Sequence, residues 1–99
     1  MFYLTQLVYV QPGKEDVFHQ FEDVAIPLIS KHGGKLLLRL RPTPDSVIAH
    51  HDEVPYEVHI VVFETEQDFD RFAQDDERRQ FLHLKNESIR ASLLIRGTA

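Results

Sequence analysis

Cysteine and tryptophan are both absent from the 99 residues, methionine occurs once, and glycine only four times. Without cysteine there is no disulfide, thiolate nucleophile, iron–sulfur cluster or thiolate-bound structural zinc, and the composition suits a reducing compartment. Basic residues are in the minority: eleven Lys and Arg against sixteen Asp and Glu leave a net charge of -5. A broad phosphate-binding surface, and with it nucleic acid as a partner, is therefore not expected. No apolar run approaches the roughly twenty residues of a membrane span, and no basic region precedes an apolar one at the N-terminus. Neither a membrane partner nor a secretory leader is expected, and the cytoplasm is the expected location. What is present is ordinary: 42% hydrophobic and 27% charged residues, in a length that suits one domain over residues 1–99. A chain of this size buries roughly 60–70% of the surface its unfolded form exposes, a thin core that oligomerisation commonly supplements.

Phe2 to Val10, FYLTQLVYV, is β-branched, aromatic and almost free of charge, the pattern of a strand buried on both faces, and Pro12-Gly13 ends it. From Lys14 to Lys31 the residues Val17, Phe18, Phe21, Val24, Ala25, Leu28 and Ile29 recur at spacings of three and four. Glu15, Asp16, Gln20, Glu22 and Asp23 fill the opposite side, so an amphipathic helix is predicted, stopped by Gly33-Gly34. Pro27 removes one intrahelical hydrogen bond and is expected to kink or split this helix near Ala25. Lys35 to Arg41, KLLLRLR, predicts a strand with Leu36, Leu38 and Leu40 on one face and Lys35, Leu37, Arg39 and Arg41 on the other. Arg41 to Pro55 is polar and broken by proline, a long loop with room for a short extended piece at Ser46 to Ala49. Tyr56 to Phe63 is the next strand, placing Glu57, His59, Val61 and Phe63 on one side. Thr65 can cap the helix that follows, a break at Asp75-Asp76 leads into further helix, and Ser88 to Arg96 alternates as the last strand.

The order is β, α, β, β, α, β, which implies an α+β domain with a four-stranded antiparallel sheet. Both helical crossovers can cover only one face of that sheet. The other face also carries apolar residues, and its simplest partner is a second copy of the chain.

The strand followed by Val10-Gln11-Pro12-Gly13-Lys14-Glu15, the helix ending in Gly33-Gly34, and the stretch His59-Ile60-Val61-Val62-Phe63-Glu64-Thr65-Glu66-Gln67-Asp68-Phe69 resemble the dimeric α/β-barrel superfamily. Within it the chain is most similar to small families of uncharacterised function near the antibiotic-biosynthesis-type monooxygenases. The resemblance implies ferredoxin-like subunits whose sheets pair face to face, with a cleft between sheet and helices for a small molecule. The superfamily's chemistries include cofactor-independent oxidation of aromatics, haem degradation, lactone isomerisation and ligand binding. For the haem degraders, the first-strand asparagine falls near Gln6, the helix tryptophan near Phe72, and the haem-ligating histidine near Leu82 or His83. With no tryptophan in the chain, haem degradation is set aside and no cofactor is expected.

Six histidines raise the question of a metal. His50-His51-Asp52 lies in the polar loop, and no HxH or HExxH pattern falls on a helix or strand, so a solvated loop is the expectation. His59 stands mid-strand among apolar residues beside Glu57, either as a general base or acid held by a carboxylate, or as an interface histidine bonded to Arg39 or Glu57. Arg39 either clamps an anionic ligand or pairs with Glu57. Arg78 and Arg79 follow the acidic start of a helical segment, with His83 four residues beyond Arg79, and either could turn toward an anionic ligand. Tyr56 offers an aromatic wall and Phe72 core or cleft packing. The expected function is a homodimer that holds a small apolar or anionic molecule, with His59 or His83 as catalytic base and Gln6, Arg39, Tyr56, Phe72, Arg78 and Arg79 around the substrate. The reaction would be cofactor-free oxygenation or isomerisation; the alternative is a non-catalytic ligand-binding or interaction module.

Overall fold

The computed structural model, which describes residues 1–98, runs β1 (Phe2–Val10), α1 (Glu15–Lys31), β2 (Lys35–Leu40), β3 (Glu57–Phe63), α2 (Glu66–Ala73), α3 (Asp76–Gln80), α4 (Leu82–Ser88) and β4 (Ile89–Thr98). The strands form one sheet in the order β2-β3-β1-β4, with every neighbouring pair antiparallel. This is the ferredoxin-like α+β fold, its second crossover broken into three short helices.

Even-numbered residues of β1 and odd-numbered residues of β3 point toward the helices, as strand alternation requires. Phe2, Leu4, Ile29, Val61 and Phe63 form one buried cluster against Leu36, Phe69 and Phe72. A second cluster, Val8, Val10 and Phe18, packs with Tyr56 and Ile89. Gly34 permits the first: a Cβ there would lie 2.6 Å from the Phe63 ring, closer than any side chain could stay. Gly33, at φ +77, takes the left-handed turn that ends α1.

Three expectations are corrected. Pro27 lies inside α1 without breaking it; its ring is exposed, while the buried stripe of Phe18, Phe21, Ala25, Leu28 and Ile29 holds the helix on the sheet. Ser46, expected to open a short extended piece, instead ends a 3-10 turn at Pro44–Ser46, closed by reciprocal bonds between Thr43 and Ser46, and the backbone becomes extended only at Val47, without pairing as a strand. In β2 the register slips between Leu36 and Leu38, so that Leu36 pairs with Val61 while Leu38 pairs with Ile60. Leu36 and Arg39 therefore face the helices, and Leu38 and Leu40 face away, so the three leucines do not share a face.

The side away from the helices is left open. Leu38, Leu40, Leu93 and Ile95 on it are each 40–51% exposed, around half-buried Tyr3, Leu7, Tyr9 and Ile60. The backbone spans only 16 Å in its thinnest direction, one sheet and one helical layer.

Candidate functional site

Between the two apolar clusters a polar band crosses the helix face of the sheet. On β1, Gln6 stands between Leu4 and Val8; it pairs with His59 of β3, which pairs in turn with Arg39 of β2. From α1, Glu22 reaches the same band in place of the apolar residue that its stripe would otherwise supply.

Glu57 and His59 are both buried, at 0% and 5% exposure. Arg39 Nε donates to Glu57 Oε2 at 3.0 Å and Arg41 Nε to Glu57 Oε1 at 2.9 Å. His59 Nε2 makes a short hydrogen bond to Glu57 Oε2. Burial alone would raise the Glu57 carboxyl, but the hydrogen bonds from His59 and Arg39 prevail and hold it down at about 2. Glu57 is thus an anion at neutral pH, which assigns the shared hydrogen to Nε2 and makes His59 the donor. His59 lies on the helix face, so it is not a residue of the open sheet face, and its partner is Glu57.

Glu22 has a different environment. Its Oε2 lies 3.8 Å from His59 Nε2, beyond hydrogen-bond length, and among the described residues no hydrogen bond reaches its carboxylate. Burial pushes its carboxyl above the ordinary carboxylate range, and the Glu57 charge adds to the effect against the opposing pull of His59. A carboxylate displaced in this direction is a general base closer to neutral pH than a surface glutamate.

Glu22 and His59 open into a cavity of about 290 Å³ between sheet and helices. Its walls are mostly apolar: Leu4, Phe21, Ile26, Phe69, Phe72 and Leu94 among others. Gln6, Ser92, Arg78 and Lys85 bring polar groups to it. Arg78 lies over the rings of Phe72 and Phe21, with its guanidinium carbon 5.2 and 5.6 Å from their centroids. Arg78 is held in position by Asp75, which caps α3 by accepting from the backbone of Glu77 and Arg78 and also binds Lys31 Nζ at 2.9 Å and His32 Nε2 at 2.8 Å.

Of the residues singled out in the sequence, Gln6, His59, Phe72 and Arg78 meet at this cavity. Arg39 lies behind it, paired with Glu57. Tyr56 lines a separate surface cleft with Arg41 and Pro55, and its hydroxyl bonds His19 Nε2 at 2.6 Å. Arg79 on α3 and His83 on α4 are exposed, the latter stacked on Phe81, and the helix breaks between them at Phe81. The loop histidines are exposed as well, with His50 Nδ1 bonded to the Asp52 carbonyl at 2.6 Å. Two charged residues of the lining, Glu22 and Lys85, are not among the sequence candidates. Glu22 follows Phe18 by four and precedes Ala25 by three, which places it inside the apolar stripe; Lys85 lies on α4, beyond the helix break at Phe81, and no spacing within one helix points to it.

Among the described residues, Glu22, Glu57 and His59 are a group whose ligand atoms fall within 4.8 Å of one another, a spacing that would suit a cation. The charges around them oppose one. Arg39 and Arg41 already neutralise Glu57, and Arg78 and Lys85 add two more positive charges beside Glu22, so a divalent ion would enter a field that repels it.

No protein-family model matches the chain, and no curated protein matches it. Solved structures do, over nearly its whole length, and all share the ferredoxin-like α+β fold. A protein of unknown function from Rhodopseudomonas palustris superposes with a TM-score of 0.84 at 18% identity, covering 99% of this chain and 81% of that one. A NIPSNAP-family protein of unknown function from Agrobacterium tumefaciens gives 0.72 at 20% identity, over 100% and 87% of the two chains. A candidate antibiotic-biosynthesis monooxygenase from Nitrosomonas europaea gives 0.76 at 10%, over 100% and 98%. The resemblance read from the sequence thus holds at the level of fold, with monooxygenase-type proteins among the structural neighbours.

Proposed function

We propose that the protein is a homodimer of single-domain subunits, joined through the open sheet face, that holds a small apolar or anionic molecule in the cavity and removes a proton from it. One observation supports this reading: a buried carboxylate that accepts no hydrogen bond from the described residues, Glu22, sits beside a histidine on the wall of a mostly apolar space. Burying such a group costs stability, and a proton to be abstracted is a sufficient reason to keep it. Glu22 accepts the proton from an activated C–H or O–H of the ligand, and the electron pair left behind spreads into the ligand's own π system. That step is common to cofactor-free isomerisation and to cofactor-free oxygenation, and it calls for no thiol. His59 is a positioning and proton-sharing residue, with Glu57 fixing its ring and Arg39 and Arg41 fixing Glu57. The monooxygenase-type neighbour is consistent with such chemistry. The cytoplasm is the proposed location, and no helix among the described residues is long and apolar enough to cross a membrane.

The test is mass spectrometry of small molecules that co-purify with the native protein, followed by incubation of the retained compound in D2O. Wild type should retain an organic molecule and exchange one of its hydrogens for deuterium; Glu22→Gln should retain the molecule without exchange. Retention without exchange by both proteins would favour the binding-module alternative, and no retained compound would count against both. The dimer is tested separately: solution scattering at micromolar concentration should give twice the 11.6 kDa of one chain, and Leu93→Asp should give a monomer.

A further inference from the structure

Arg78 and Lys85 are cations that line the cavity and have no anionic partner. Arg78 Nη1 donates to the Ala73 carbonyl at 3.1 Å, which occupies one corner of the guanidinium. Nε and Nη2 share the opposite edge; Nε is buried and has no hydrogen-bond partner, and no described residue accepts from Nη2. An arginine edge of this kind matches the two oxygens of a carboxylate. Lys85 is held below its ordinary pKa first by burial and then by the charge of Arg78, and no described acid forms an ion pair with it. Glu22 is close enough to act on both charges but pairs with neither.

Counted over the lining, one carboxylate faces two cationic side chains, so the cavity carries one uncompensated positive charge when Glu22 is ionised and Lys85 protonated. A single additional negative charge balances it. Around that charge the walls are aromatic and aliphatic: Phe21, Phe69 and Phe72 with Ile26 and Leu94.

We infer that the ligand of this cavity is an apolar, ring-bearing monocarboxylate, its carboxylate held by the Nε–Nη2 edge of Arg78 and by Lys85 and its ring laid against Phe69 and Phe72. This rests on the reading of the cavity as a ligand site and narrows it to a substrate class. It also gives the proposed reaction a direction: the carboxylate is anchored at the helical side, and the carbon next to the ring or carboxylate is presented to Glu22. A phosphate dianion would overfill the charge balance, and a neutral ligand would leave the Arg78 edge empty.

The experiment compares 2-naphthoate with its isosteric neutral analogue 2-naphthamide by calorimetry on the native protein. Naphthoate should bind about tenfold or more tightly than the amide, the worth of one charge-assisted hydrogen-bonded contact. Arg78→Met should remove that preference, and Lys85→Met, which keeps Arg78 on its two rings, should reduce it. Higher salt should weaken naphthoate alone. Equal affinity for the two probes overturns the carboxylate assignment while leaving the cavity as a ligand site. Binding of neither overturns the ligand-site reading and this proposal with it. A preference that survives both substitutions would place the anion elsewhere and overturn it as well.

Discussion

Glu57 and Glu22 flank the same histidine, both buried, and their environments could hardly differ more. Glu57 receives hydrogen bonds from two arginines and His59 and stays ionised far below neutral pH. Glu22 receives none from the described residues, and its proton is held more tightly than that of an ordinary glutamate. The first is a charge the fold has satisfied, the second a charge the fold tolerates. Buried charge by itself therefore says little about function; whether its hydrogen bonds are complete is what separates the two.

The contrast can be broken most forcefully at Glu57. Glu57→Gln should destabilise the protein by about 2–3 kcal/mol, read from urea unfolding, because two arginines and a histidine lose their shared anion, though both arginines are partly exposed and recover some solvation. A loss under about 0.5 kcal/mol would mean that the network is ornamental. The next effect is in acid. Since the folded Glu57 titrates at about 2, below its ordinary 4.5, its contribution is present above pH 4.5 and disappears as pH falls toward 2. That limb should be worth about 1–2 kcal/mol after solvent screening of the arginines, and it should flatten in Glu57→Gln. Glu22 has the opposite sign: a raised pKa means that ionisation in the folded state is a cost, absent below pH 4.5, growing as pH rises from there to the folded value and constant above it. Glu22→Gln should accordingly raise stability by about 1 kcal/mol at pH 7 and leave it unchanged at pH 4, with a rise in Tm of several degrees at the higher pH. The smallest effects belong to the exposed pair. Arg79→Ala and His83→Ala should each stay within about 0.5 kcal/mol of wild type and leave naphthoate binding as it was.

Much of this architecture was legible in the chain itself. Period-two alternation in Glu57–Phe63 and the 3–4 spacing of α1 placed both elements correctly, and an imidazole in the middle of an apolar strand is conspicuous enough that His59 was singled out. Glu22 was not, because helical residues in an acidic run such as Phe21-Glu22-Asp23 are sorted to the solvent side by composition, although the angular position of Glu22 lies between Phe18 and Ala25 on the stripe. His83 and Arg79 were placed on one face by extending a continuous helix across Phe81, where the helix actually breaks and restarts. Lys85 depended on that same break and left no local signal. Pro27 interrupts α1 less than its position implies, since the packed stripe around it holds the helix together despite one missing hydrogen bond.

Leu37 leaves one consequence for how the protein folds. Its slip in register puts Arg39 over Glu57, yet KLLLRL alternates cleanly without it. In the regular register Leu36, Leu38 and Leu40 would all meet the helices and Arg39 would be on the far side of the sheet. Edge strand β2 thus has two pairings with β3 that compete during folding, and only the slipped one brings Arg39 to its carboxylate. Deleting Leu37 should keep every remaining side chain on its present face, remove the competing pairing, and simplify refolding kinetics to a single phase wherever wild type shows a slow minor one.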